Sequence, residues 1–129
     1  MKHRVYVYGT LRLGGNHYYY VRGKMYNIGW FPGVILGEGG GMVVCEVLEV
    51  DDEGLARLDQ LEGYYENSPE NSLYIRREHN DGWIYEYNKE VDPDSLIKNG
   101  NWLTFTDQSR GSNSALSESV TKVKEVEAL

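Results

Sequence analysis

The stretch MVVCEVLEV, Met42 to Val50, constrains the fold more than any other part of this chain. Val43, Cys45 and Val47 face one way and Val44, Glu46 and Leu48 the other, the alternation of a strand. The run is fenced on both sides. Residues 37–41 before it hold four glycines around Glu38, the composition of a flexible hairpin connection. Asp51-Asp52 after it opens a helix, and either aspartate can cap it. That helix runs through Leu55, Leu58 and Leu61 and stops at Gly63, a natural C-terminal cap. With 129 residues, enough for one core and short for two, strands and a helix together predict an α+β domain.

Arg4-Val5-Tyr6-Val7-Tyr8 alternates as a first strand, followed by a glycine-containing loop over 9–16. Residues 17–23 read as a short helix or an irregular aromatic segment, and 24–30 as a second strand. Phe31-Pro32-Gly33 is a turn before a short apolar run, Val34 to Leu36. Residues 64–72 form a polar loop, 73–78 a strand and 83–88 its returning partner. Asn80-Asp81-Gly82 joins these two, because Asp-Gly tolerates positive φ. Residues 92–100 predict a short helix or turn. The Ser, Asp, Gly and Asn of 104–119 have little to bury and read as a linker or tail. Val120, Val123 and Val126 fit either a last amphipathic helix or disorder. The expected organisation is one domain over 1–103 and a polar tail over 104–129.

Composition narrows the function. A net charge of −7, with Arg76-Arg77 the densest basic pair, argues against a nucleic-acid partner. Eleven tyrosines against two phenylalanines favour a polar pocket, since tyrosine packs like phenylalanine but keeps a hydroxyl. Cys45 is alone, which excludes an intramolecular disulfide and suits a small core residue. His3, His17 and His79 are dispersed, so no metal site is expected. A Gly-x-Ser-x-Gly elbow is missing, which leaves a serine hydrolase unsupported. With no run resembling a signal peptide or a membrane span, the expectation is a cytoplasmic protein without a membrane partner.

Two features carry chemistry. Glu62 lies seven residues from Leu55 and four from Leu58, on the helix face those leucines mark as buried. A carboxylate turned inward is desolvated and its pKa rises, which suits a general acid/base. The alternative is that Glu62 reaches water past Gly63 at a frayed helix end. The second feature is the loop leaving the first strand at Gly9, which can aim successive backbone N–H groups at an oxyanion. Gly14-Gly15 could equally be a flexible turn. The loop matches neither a dinucleotide fingerprint nor a P-loop.

Together, VYVYGTLRLGGNH and LARLDQLEGYYENSPENSLYIRR resemble the two signatures of the γ-glutamylcyclotransferase-like family, its AIG2-like and YtfP-like, γ-glutamylamine cyclotransferase type. GWFPGVI and GWIYEYN are similar to later family segments, and the likeness runs in order over about residues 4 to 88. The resemblance implies a small mixed β-barrel with peripheral helices. It implies Glu62 as catalytic acid/base, and Tyr8, Gly9, Thr10 and Leu11 as the substrate loop. Tyr87 would line the pocket, as would Tyr74 at the Leu-Tyr position. The implied reaction closes a γ-glutamyl substrate to 5-oxoproline with release of an amine, and needs no metal or cofactor. Two other readings stand beside it: a module that binds a small metabolite in the same cavity without turnover, and an interaction protein docking through its C-terminal tail.

Overall fold

The computed structural model describes residues 1–15, 17–37 and 39–110, and the side chains of these up to 106. Seven strands and two α-helices lie among them, in the order β1 (His3–Val7), β2 (Tyr19–Asn27), β3 (Pro32–Leu36), β4 (Met42–Val50), α1 (Asp52–Leu61), β5 (Tyr74–His79), β6 (Gly82–Tyr87), β7 (Leu96–Ile97) and α2 (Trp102–Arg110). The strands form one mixed sheet, ordered β3-β2-β4-β1-β6-β5, with β7 added on β2. Every pairing is antiparallel except β1 with β6. No helix among the described residues is long and apolar enough to cross a membrane.

The sheet curls into a half-barrel because β2 changes partners along its length. Tyr19 to Arg22 pair with β4, whereas Gly23 to Asn27 pair with β3, and Met25 and Tyr26 also pair with β7. The two ends of the curl meet through side chains rather than a ladder. Tyr74 Oη donates to the Pro32 carbonyl at 2.6 Å, and the Leu36 N–H donates to Glu86 at 2.8 Å. Inside sit Val5, Val21, Met25, Val34, Val43, Cys45 and Ile84, all at most 2% exposed. Cys45 is therefore the small core residue its context suggests, and burial pushes its thiol up to about 12.

Several local expectations change. The aromatic segment over 17–23 is not helical: from Tyr19 it is the first half of β2, which ends at Asn27 and not at residue 30. Val21, Gly23 and Met25 point inward with period two while Tyr20 and Arg22 face out, and the β4 partner that makes this a strand is remote in sequence. The β5–β6 connection has two residues, Asn80 and Asp81, and Asn80 rather than Gly82 takes the positive φ, +50°. Gly82 is the first residue of β6, where a Cβ would sit 2.3 Å from the Arg4 carbonyl oxygen, so the close approach of neighbouring β1 requires glycine there. Residues 92–100 hold a single 3₁₀ turn, Pro93–Ser95, and then β7. Helix α2 continues past Thr104 to Arg110, into the stretch read as a linker. The valine-spaced segment at 120–126 lies outside the described residues.

Helix α1 is built as its sequence indicates. The Asp51 side chain accepts from the Gly54 N–H at 2.8 Å, and Leu55 and Leu58 are buried against the sheet. Replacing Asp51 with Ala removes this cap and is expected to cost about 1 kcal/mol. A urea titration measures it, and an unchanged midpoint would show that the cap contributes nothing.

Candidate active site

Glu62 is placed by the way α1 ends. It is the C-cap residue, and Gly63 follows in the left-handed region at φ +66°. The Gly63 N–H donates to the Gln60 carbonyl and the Tyr64 N–H to the Asp59 carbonyl, the two bonds of a Schellman motif. This motif removes the frayed end that would have let Glu62 reach water. Asp59, three residues earlier, ties the helix to the sheet: it accepts from Arg76 at 2.7 Å and from Tyr85 Oη at 2.6 Å. Arg76 in turn lies over the Trp83 ring, 4.5 Å from its centroid. Helix end and helix face are both held, and Glu62 points inward at 5% exposure.

It points into a cavity of about 380 Å³, open mouth included. Strand β1 and the loop after it supply Tyr6, Val7, Tyr8, Gly9 and Leu11. Phe31 and Pro32 close one side, and Tyr74 and Tyr85 another. Although four tyrosines line the cavity, none of their hydroxyls donates to Glu62. Tyr8 Oη donates to the Tyr85 carbonyl and Tyr74 Oη to the Pro32 carbonyl, each at 2.6 Å. Tyr85 Oη gives its proton to Asp59, and Tyr6 Oη donates to Asp81 at 3.2 Å. A phenol has one proton to donate, and all four are committed elsewhere. Glu62 Oε2 is left buried with no hydrogen-bond partner among the described residues. Burial accordingly pushes the Glu62 carboxyl up to about 8. Burial also raises Tyr8, Tyr74 and Tyr85, so the walls stay neutral.

The structure brings Tyr8, Gly9, Leu11, Glu62 and Tyr74 to one cavity. It does not bring Tyr87 there. The Tyr87 ring packs edge-on against Tyr74 with centroids 5.4 Å apart, and fills the space where a Gly33 side chain would stand. Tyr85, two residues earlier on the same face of β6, lines the cavity instead. Alternation in GWIYEYN marks both tyrosines as one-sided but cannot rank their depth. Thr10 sits in the loop without lining the cavity, and its Oγ1 is buried with no partner among the described residues. Phe31 and Pro32, read as a plain turn, are cavity walls. No three His, Cys, Asp or Glu side chains cluster around a common point as a metal site would need, among the described residues.

The loop itself is braced by a pair that the sequence reading did not single out. Arg12 is 2% and Glu46 7% exposed, and Arg12 Nε donates to Glu46 Oε2 at 2.8 Å. Glu46 also accepts from the backbone N–H of Leu13 at 2.8 Å and of Gly14 at 3.1 Å. Burial alone would raise this carboxyl, but the bonds from Arg12, Leu13 and Gly14 outweigh it and hold Glu46 below the usual range. The two buried glutamates thus shift in opposite directions: one stays charged and the other can exchange a proton near neutral pH.

Comparison with known proteins bears on this geometry. The family described as gamma-glutamyl cyclotransferase, AIG2-like, matches residues 5–104. The chain is 32% identical over 115 residues to the gamma-glutamylcyclotransferase family protein ytfP of Citrobacter rodentium, covering 78% of this chain and 95% of that one. It is 31% identical over 107 residues to gamma-L-glutamyl-butirosin B gamma-glutamyl cyclotransferase of Niallia circulans, covering 67% of each. Among solved structures, protein ytfP of Escherichia coli superposes with a TM-score of 0.58 at 29% identity, over 80% of this chain and 98% of that one.

Proposed function

The chain belongs to the AIG2-like gamma-glutamyl cyclotransferase family, and we propose accordingly that it cyclises a γ-glutamyl amine or γ-glutamyl amino acid to 5-oxoproline, with Glu62 as general acid/base. The observation that carries the reading is a buried carboxylate, unpaired and raised to about 8, facing a cavity beside the loop that follows β1.

The substrate's α-amino nitrogen attacks its own γ-carbonyl carbon, and a C–N bond closes a five-membered ring. The α-amino group, beside its free carboxylate, is largely protonated at neutral pH. Glu62 takes the surplus proton; its raised pKa brings it nearer the amine's than an ordinary carboxylate and lowers the cost of the transfer. The carbonyl oxygen gains the negative charge of a tetrahedral intermediate. Backbone N–H groups of Gly9, Thr10 and Leu11 stabilise that oxygen, for they lie beyond the last ladder position of β1. The amide C–N bond then breaks as Glu62 passes its proton to the departing nitrogen, and the carboxylate so freed takes the second proton from the ring nitrogen, which leaves a neutral lactam. Apolar walls at Leu11, Phe31 and Pro32 keep water from competing for the carbonyl.

The test is release of 5-oxoproline from a panel of γ-glutamyl amino acids, γ-glutamyl-ε-lysine and glutathione. One 5-oxoproline should appear for every amine released. A folded protein that binds a panel member and returns it unchanged would replace this reading with the binding module.

A further inference from the structure

We propose that Arg12 and Glu46 are positioning residues that hold the Gly9–Gly14 loop in register with the Glu62 cavity, and that Asn101 makes the start of α2 part of the same brace. The inference rests on the cyclotransferase reading for its catalytic consequence and on geometry for the brace itself.

Glu46 pairs with Val7, the last residue of β1, so its side chain stands where β1 ends and the loop begins. From there it captures the chain as it turns back, through the Leu13 and Gly14 amides. Arg12 closes the turn from the other side: its own N–H donates to the Gly9 carbonyl at 3.1 Å while its guanidinium binds Glu46. The guanidinium also reaches Asn101, donating to Oδ1 at 2.9 Å. That same oxygen accepts from the Thr104 N–H at 3.3 Å, as the N-cap of α2. The loop is pinned at Gly9, Arg12, Leu13 and Gly14, on either side of the half-buried Thr10 and Leu11, the second of which lines the cavity. Neither Arg12 nor Glu46 touches the cavity. A surface turn needs no buried ion pair, and taking both charges out of water is costly unless the remaining lone pairs and protons are satisfied. Here five hydrogen bonds hold Gly9, Arg12, Leu13 and Gly14, and so fix the Gly9, Thr10 and Leu11 amides that must meet a developing charge within a fraction of an ångström.

The experiment compares wild type, Glu46→Gln, Arg12→Gln and the double variant in two measurements, at a temperature where all are folded. In 5-oxoproline kinetics each single variant should lose on the order of 100-fold in kcat/KM, and the double variant little more, because the two side chains act as one device. The pH profile should stay where Glu62 sets it. In amide hydrogen exchange, Leu13 and Gly14 should exchange faster while the buried amides of β4 keep their protection. A pair that serves stability alone gives the opposite pattern: faster exchange throughout and an unchanged kcat/KM for the folded protein, which overturns the proposal. If wild type releases no 5-oxoproline, the activity reading fails by itself, and exchange still decides the brace. Unchanged exchange at Leu13 and Gly14 in Glu46→Gln overturns it. Should the Gln variants not fold, Arg12→Lys carries the test. It keeps the charge but cannot span Glu46 and Asn101 together. It should lose roughly 10-fold in kcat/KM, and a wild-type value would sink the proposal.

Discussion

Replacing Glu62 with Gln is expected to lower 5-oxoproline release by about 10³-fold, the scale of losing one well-placed acid/base, with the fold intact. The substitution keeps shape and volume and removes only the titrating proton. It removes both halves of the proposed proton transfer, since the same carboxylate takes the proton from the attacking nitrogen and gives it to the leaving one. The wild-type pH profile carries a second signature. Turnover needs at least one of the two groups, Glu62, near 8, or the substrate amine, to have lost its proton. At lower pH both groups are protonated and no base is left; at higher pH the free amine attacks and Glu62 relays the proton shed by the ring nitrogen to the departing one. kcat should therefore rise with pH and level off above about 8, and Glu62→Gln should lose most of the rate on that plateau. A variant within tenfold of wild type would remove Glu62 from the mechanism.

The second large effect is on stability, and its sign follows from the direction of the shift. Glu62 titrates near 8 when folded against an ordinary 4.5. Below 4.5 both folded and unfolded chains hold the proton, and the group favours neither. Between 4.5 and 8 the unfolded chain has released its proton and the folded chain has not, so stability falls as pH rises. Above 8 the loss levels off, at roughly 5 kcal/mol as a ceiling. A glutamine side chain does not titrate, so Glu62→Gln should gain on wild type as the pH is raised. The gap in melting temperature should widen by on the order of 10 °C between pH 5 and pH 9. Thermal melts at the two pH values measure it directly. A constant gap would mean that Glu62 ionises in the native protein as freely as in water, and the buried site would be lost as an idea. A group that costs stability at the pH where it acts is retained for what it does.

Much of the fold was legible because its signals are local. Strand β4 runs over Met42–Val50 as its alternation indicates, and α1 lies between Asp51 and Gly63 as its caps indicate. The spacing to Leu55 and Leu58 put Glu62 on the leucine face of α1, and the motif that closes the helix at Gly63 decided between burial and a frayed end. What failed depends on partners far along the chain. The first half of β2 is a strand because β4 lies beside it, and three consecutive tyrosines with an exposed face offer no period to read. Gly82 looked like a turn residue, yet glycine is needed there because the Arg4 carbonyl of neighbouring β1 leaves no room for a Cβ. Tyr85 and Tyr87 share a face, so only the curl of the sheet sets which one meets the cavity and which one supports β3.

Local pattern alone accounts for the family motifs, the capped helix, the helix face that carries Glu62 and the position of the glycine loop directly after the first strand. Spacing along one helix and chemistry within a few residues carry all of these. Long-range packing supplied the environment that makes them chemical. Tyr8, Tyr74 and Tyr85 come from three separate segments and commit their protons to the Tyr85 carbonyl, the Pro32 carbonyl and Asp59, which leaves Glu62 without a partner among the described residues. Glu46 meets Arg12 across 34 residues and Asn101 meets Arg12 across 89. A pKa is set by which groups surround a carboxylate and which of their protons are free, and no stretch of a few residues contains that information.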